Sequence, residues 1–187
     1  VLQLLGTIAY QSIYVSPAVL LGHFARVGDR MRAYRFITAF WVSAVLALLL
    51  FATMPAVGPL AYFVHGPLPY LPDSERYMAD LIPALRLHEI HLIDLGAIRG
   101  LVSAPSFHTA SAILFIATAW PHRMLRWPLT AMNVAMLVST PVEGTHYLTD
   151  MIVGAAVAGI GLLAAAQLFQ RLARRDQAGS TAISVTP

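Results

Sequence analysis

No cysteine and no lysine occur in these 187 residues, and charged side chains make up only 11% of them. The first absence excludes disulfides and cysteine-ligated metal centres, and removes any clue to redox compartment. The second leaves arginine, histidine and backbone N–H groups as the only means of holding an anion, since all twelve basic residues are arginine. With 58% hydrophobic residues and a mean hydropathy of +0.68, the chain lies outside the range of soluble domains and reads as one integral membrane domain. A soluble nucleic-acid binder is excluded despite an isoelectric point near 9.6, because the arginines fall at the ends of apolar runs, where a membrane accounts for them.

Runs free of Asp, Glu, Lys and Arg cover 1–25, 36–72, 101–121, 127–142 and 151–170. A membrane helix needs roughly 20 apolar residues, so the pattern predicts an all-α bundle with five spans over residues 1–172. The second helix should end near Met54, where Pro55 and Gly58-Pro59 interrupt it. Residues 55–104 then form a long loop, and its stretch "DSERYMADLIPALRLHEI" has the start signals and spacing of a short helix on the membrane surface. The polar, small-residue end, 173–187, reads as a disordered tail. The chain opens inside an apolar stretch at Val1, so it reads as a piece of a longer protein.

Loop charges orient the spans. Residues 23–35 balance to +3, residues 121–126 to +2 and the tail to +2, whereas the long loop balances to −2 and the short loop near 143 holds only Glu143. The positive-inside rule puts the arginine-rich loops in the cytoplasm, and the long loop on the outer face. For a bacterial protein this means the inner membrane, with the outer loops facing the periplasm.

Two polar clusters begin spans on that outer side: "APSFHTASAILF" at 104–115 and "EGTHYLTDMIVG" at 143–154. Each is predicted to place a histidine in the first turn of a helix. The unsatisfied N–H groups and positive dipole end there suit a phosphate-like anion. Pro105 and Ser106 suit the start of such a helix. His146 and Asp150 are four apart, so on a helix they share a face, where the carboxylate can orient the imidazole and leave its other nitrogen as a nucleophile or base. His108 is the best candidate for a facing acid. Haem ligation by the two histidines has no second pair to support it. "HEIH" at 88–91 has Leu92 where a zinc-protease pattern needs its second histidine, so a solvated helix face is the simpler reading. Arg86 and Arg99 in the long loop are either phosphate ligands or headgroup-facing charges.

"PSFHTA", followed by "GTHYLTD" with its histidine 38 positions after the first, resembles the second and third signature motifs, P-S-G-H and S-R-x5-H-x3-D, of the type 2 phosphatidic acid phosphatase superfamily. That superfamily includes lipid phosphatases, isoprenyl pyrophosphate phosphatases and, with variant motifs, inositol phosphorylceramide synthases. The resemblance implies an all-α bundle of six spans, one more than the five visible. By position it makes His146 the nucleophile that becomes a phosphohistidine, Asp150 its orienting carboxylate and His108 the general acid. Ser106 and the backbone around Phe107 would hold phosphate oxygens. It implies no metal and no cofactor, and a lipid phosphate or phospholipid as substrate.

The departures from the pattern are specific. The first motif, K-x6-R-P, is absent, Thr140 stands where the third motif has arginine, and Phe107 stands where phosphatases have glycine. Losing two phosphate-clamping cations weakens binding of a doubly charged monoester more than that of a singly charged diester. "HYLTD" and the bulky residue in "PSFH" are closer to the inositol phosphorylceramide synthase-like branch, and Arg86 or Arg99 is a candidate replacement cation. The expected activity is a lipid phosphate phosphatase at the outer face. Head-group phosphotransfer from a diester lipid is the alternative, and a non-catalytic lipid-binding relative is the second.

Overall fold

The structure, a computed structural model, describes residues 2–53, 55–63, 78–90 and 103–183. Every regular element among them is an α-helix: α1 Leu2–Gln11, α2 Val15–Val27, α3 Arg30–Thr53, α4 Pro59–Phe63, α5 Met78–Arg86, α6 Phe107–Ala119, α7 Arg123–Glu143 and α8 Leu148–Ile183. A helical membrane bundle is what the apolar runs predict.

The runs and the helices do not map one to one. Two segments, Arg30–Thr53 and Leu148–Arg175, are long and apolar enough to cross a membrane, and α1 with α2 makes a third if a bend of 42° is allowed within one span. α6 is apolar but has 13 residues, and α7 has 21 residues that include Asn133, Pro128 and Pro141. The bend in the first run has local causes. Ser12 Oγ donates to the Ala9 carbonyl at 2.6 Å, competing with the helical ladder, and Pro17 brings no N–H to the first turn of α2.

The basic segment 23–35 is mostly helical. Gly28 ends α2 in the left-handed conformation, φ 72°, and Asp29 starts α3 by accepting the Arg32 N–H at 3.1 Å. α3 ends at Thr53, just before Pro55, as predicted. α5 occupies part of the expected surface helix, with Ile82 buried. α8 runs on to Ile183, into the segment 173–187. Once a helix is nucleated, the alanine, arginine and glutamine of "LFQRLARRDQA" extend it at little cost.

Lipid is as apolar as leucine, so close packing, more than transfer from water, holds such a bundle together. α3 and α8 meet at Gly161, where an added Cβ would lie 2.2 Å from Ser43 Oγ and 2.7 Å from the Ala39 carbonyl oxygen. Ser43 Oγ donates to the Val157 carbonyl at 3.3 Å in the same contact. α6 lies in the middle, giving Ala112, Phe115 and Ala119 to one core cluster and Ala110 and Leu114 to another. Large apolar side chains such as Trp41, Leu48, Val138 and Leu163 face outward, as lipid-facing residues do. At the basic end Trp120 and Trp127 pack edge to face, with Arg126 over Trp120, the residue types that anchor a helix at a membrane interface.

Candidate active site

At the opposite end of the bundle the starts of α6 and α8 come together. α6 opens as predicted: Ser106 is its N-cap, and Ser106 Oγ accepts the Thr109 N–H at 3.3 Å and the Thr109 hydroxyl at 3.1 Å. Pro105 falls one residue before the cap, outside the first turn. His108 is the second residue of the helix.

α8 opens differently from the prediction, because it begins at Leu148 and leaves His146 in the turn before it. A shared helix face therefore does not bring His146 to Asp150. Asp150 reaches back instead: its Oδ2 accepts the Tyr147 N–H at 2.9 Å, the carboxylate half of a capping box. The same oxygen lies 3.8 Å from His146 Nδ1, beyond hydrogen-bond range, and Nδ1 has no hydrogen-bond partner among the described residues. Both side chains are buried, at 5% and 6% exposure.

Two contacts fix the helix starts against each other. The Ser106 N–H donates to the Asp150 carbonyl at 3.0 Å. A Cβ at Gly154, one turn further along α8, would lie 2.3 Å from the Ser106 carbonyl oxygen, so only glycine permits this approach. His108 and His146 come within electrostatic reach of each other as a result.

α1 and the end of α7 supply parts that sequence reasoning missed. Tyr10 stacks on His108 with ring centroids 3.8 Å apart and planes 15° from parallel. Thr7 Oγ1 donates to Glu143 Oε2 at 3.3 Å, and a Cβ at Gly6 would lie 2.8 Å from Glu143 Oε1. Glu143 is thus buried against α1 at 7% exposure. A groove of about 550 Å³ opens between α1 and α7, lined by Gly6, Ala9, Ala135, Val138 and Glu143 among others. The one sequence signal for α1 is a tyrosine and a threonine inside an apolar run, which does not single them out.

The turn carrying His146 is tightly built. A Cβ at Gly144 would lie 2.7 Å from His146 Cδ2, 2.9 Å from the Thr140 carbonyl oxygen and 3.0 Å from His146 Nε2. Thr145 follows in the left-handed region at φ 51°, which costs a β-branched residue about 1–3 kcal/mol.

The side chains of the remaining candidates are engaged elsewhere or lie outside the described residues. Phe107 packs edge to face on Phe40 of α3. Thr140 is fully buried, and its hydroxyl donates to the Met136 carbonyl of its own helix at 2.7 Å. Arg86 is exposed, and its Nε donates to the Pro55 carbonyl at 2.9 Å. Arg99 lies outside the described residues. Among those residues, no group of three or more His, Cys, Asp or Glu side chains is placed to hold a metal ion.

The fold is a helical membrane bundle with one histidine in the first turn of α6 and another in the turn before α8. The family model described as PAP2 superfamily matches residues 1–164, and the chain belongs to that superfamily. Its members are generally phosphatases or phosphotransferases, so membership supports an enzyme acting on lipid phosphates. No curated protein and no solved structure matches the chain.

Proposed function

We propose that the chain is a membrane-embedded lipid phosphate phosphatase that works through a phosphohistidine at His146. The observation that supports this reading is the seam between α6 and α8, where the Ser106 N–H on the Asp150 carbonyl and the close approach at Gly154 hold the start of α6, which carries His108, against the start of α8, which follows His146. In the first half-reaction His146 Nε2 attacks phosphorus, the bond from phosphorus to the leaving oxygen breaks, and protonated His108 gives that oxygen its proton. In the second, His108 takes a proton from water, the oxygen attacks phosphorus, and the N–P bond breaks to free His146.

Asp150 faces Nδ1 and so favours the positive charge that builds on the imidazole. The 3.8 Å separation is of the kind that tightens when substrate binds. Tyr10 sets the plane of the His108 ring. The Ser106 hydroxyl accepts both Thr109 contacts, which leaves its own proton for a phosphate oxygen beside the first-turn N–H groups of α6. The groove between α1 and α7 receives the apolar part of the lipid. No step needs a metal ion. The basic end, with Arg26, Arg30 and Arg123, faces the cytoplasm and puts the histidines at the outer leaflet.

Two observations favour the second reading, head-group transfer from a diester lipid as in the inositol phosphorylceramide synthase-like branch. Thr140 replaces an arginine and spends its hydroxyl on Met136, while the Glu143 carboxylate sits next to the catalytic turn. Both features disfavour a dianionic monoester relative to a singly charged diester. Rapid acid-free quenching with ³²P-labelled phosphatidate and with a head-group-labelled diester tests both. An alkali-stable, acid-labile label on His146 supports the mechanism, and the donor that yields it selects the reading. No label from either donor, under conditions where product forms, refutes the phosphohistidine.

A further inference from the structure

Gly144 and Thr145 stand in the reverse of the order their backbones favour. Gly144 has an ordinary φ of −92° and needs no special conformational freedom. Thr145, one residue on, holds φ 51°, where glycine is at ease and a β-branched residue is strained. The glycine is accounted for by space, because a side chain at 144 would run into the His146 ring. Nothing comparable accounts for the threonine. Its side chain is fully buried, and its Oγ1 makes no hydrogen bond among the described residues. A threonine at this position therefore carries two unfavourable terms, strain and an unpaired buried hydroxyl, that glycine or alanine would not carry together.

The other left-handed non-glycine residue among the described residues, His88, makes the contrast clear. It lies exposed just after α5, where a positive φ is an ordinary helix ending. Thr145 lies sealed inside the turn that leads from Gly144 to His146, next to the start of α8. A buried, unpaired hydroxyl fixed beside a nucleophile is an element of a preorganised oxyanion site.

We propose that the Thr145 hydroxyl is a ligand of the transferring phosphoryl group, donating a hydrogen bond to a non-bridging oxygen as His146 attacks. This rests on the reading of His146 as the nucleophile. No proton is transferred from Thr145: the bond changes remain those at phosphorus, and the hydroxyl stabilises the charge on the equatorial oxygens. It supplies, as a neutral donor, part of what the arginine missing at 140 would supply. A neutral donor suits a singly charged phosphoryl group better than a dianion, which is the preference expected of a diester donor.

The test compares Thr145→Val, Thr145→Ser and Thr145→Gly in the purified protein, reading kcat, KM and the thermal midpoint with whichever donor labels His146. Valine keeps the shape and the branching but removes the hydroxyl. Its kcat should fall about 100-fold or more, with KM changed much less. Its thermal midpoint should stay level or rise, since the unpaired polar group is gone. Thr145→Gly, which also relieves the strain, should lose activity to the same degree. Thr145→Ser should keep kcat within about tenfold of wild type. Wild-type turnover in Thr145→Val or Thr145→Gly would overturn the proposal. So would a lowered midpoint in Thr145→Val, because the hydroxyl would then be serving the fold. His146→Ala separates the two levels of inference: turnover surviving there removes the parent reading as well, whereas turnover abolished there but retained in Thr145→Val defeats this proposal alone.

Discussion

Replacing Gly144 by alanine adds one methyl group at the most confined point of the catalytic turn. The new carbon would lie 2.7 Å from His146 Cδ2 and 2.9 Å from the Thr140 carbonyl oxygen. Carbon atoms rest about 3.5–4.0 Å apart, so the ring or the backbone must move by roughly 1 Å. The Thr140 carbonyl belongs to the last turn of α7 and accepts the Gly144 N–H at 3.0 Å, which makes the histidine ring the more movable partner. The ring is buried and its edge carries Nε2, so the nitrogen proposed to attack phosphorus shifts with it. A misplacement of about 1 Å costs on the order of 100-fold in rate, and overpacking of this kind destabilises by about 1–3 kcal/mol. Gly144→Ala should therefore fold, with a moderately lowered thermal midpoint, and lose about two orders of magnitude in kcat for lipid phosphate turnover. Gly22→Ala and Gly159→Ala are matched controls, since a Cβ at either meets nothing within 4 Å. Both should keep full activity and gain a little stability from better helix propensity. A folded Gly144→Ala protein with wild-type kcat would refute the placement of Nε2 against residue 144.

Three further outcomes follow from the structure. Gly161→Ala should lower the thermal midpoint by an amount equivalent to about 1–3 kcal/mol through the contact with α3, and adding Ser43→Ala should recover part of the loss by removing the nearest atom. At the basic end, His23 Nε2 lies 3.2 Å from His122 Nδ1, while Arg32 Nη1 lies 3.3 Å from His122 Nε2, with Asp29 paired to Arg32. Burial first, then the charges of Arg32 and His23, hold the His122 pKa below its ordinary 6.5 against the opposing pull of Asp29. Folding thus favours neutral His122, so this junction contributes fully above pH 6.5 and loosens as the pH falls below it; hydrogen-exchange protection factors in the α2–α3 turn, taken against the intrinsic rate at each pH, should fall on acidification, and less so in His122→Gln. Because the chain has no cysteine, a single cysteine at Ser74 should react with an impermeant thiol reagent in intact cells and one at Gly28 should not, the reverse pattern inverting the proposed topology.

What could be read in advance was what depends on near neighbours in the chain. Ser106 behaves as a cap because a serine before an apolar helix has the Thr109 N–H within reach. The end of α3 at Thr53 follows from Pro55 two residues on. The backbone at His146 departs from its spacing for a physical reason. The i,i+4 spacing to Asp150 assumes a helix, but Thr145 turns the chain left-handed and Asp150 caps the Tyr147 N–H, so the helix starts only after the histidine. The two residues still meet, by a different route. The contacts of Tyr10 with His108 and of Glu143 with Thr7 are made across the fold. The Thr7–Glu143 hydrogen bond links residues 136 apart, and no local pattern encodes it.

The central claim is that His146 carries the phosphoryl group without help from a metal. Its most direct test is phosphate or head-group release by the purified protein in detergent with a chelator present, comparing wild type with His146→Ala on phosphatidate, isoprenyl pyrophosphate and a phosphodiester lipid supplied with acceptor alcohol. Chelator-insensitive release from at least one of these donors, lost in His146→Ala, is the expected result. Release that persists in His146→Ala, or that the chelator abolishes in wild type, would contradict it.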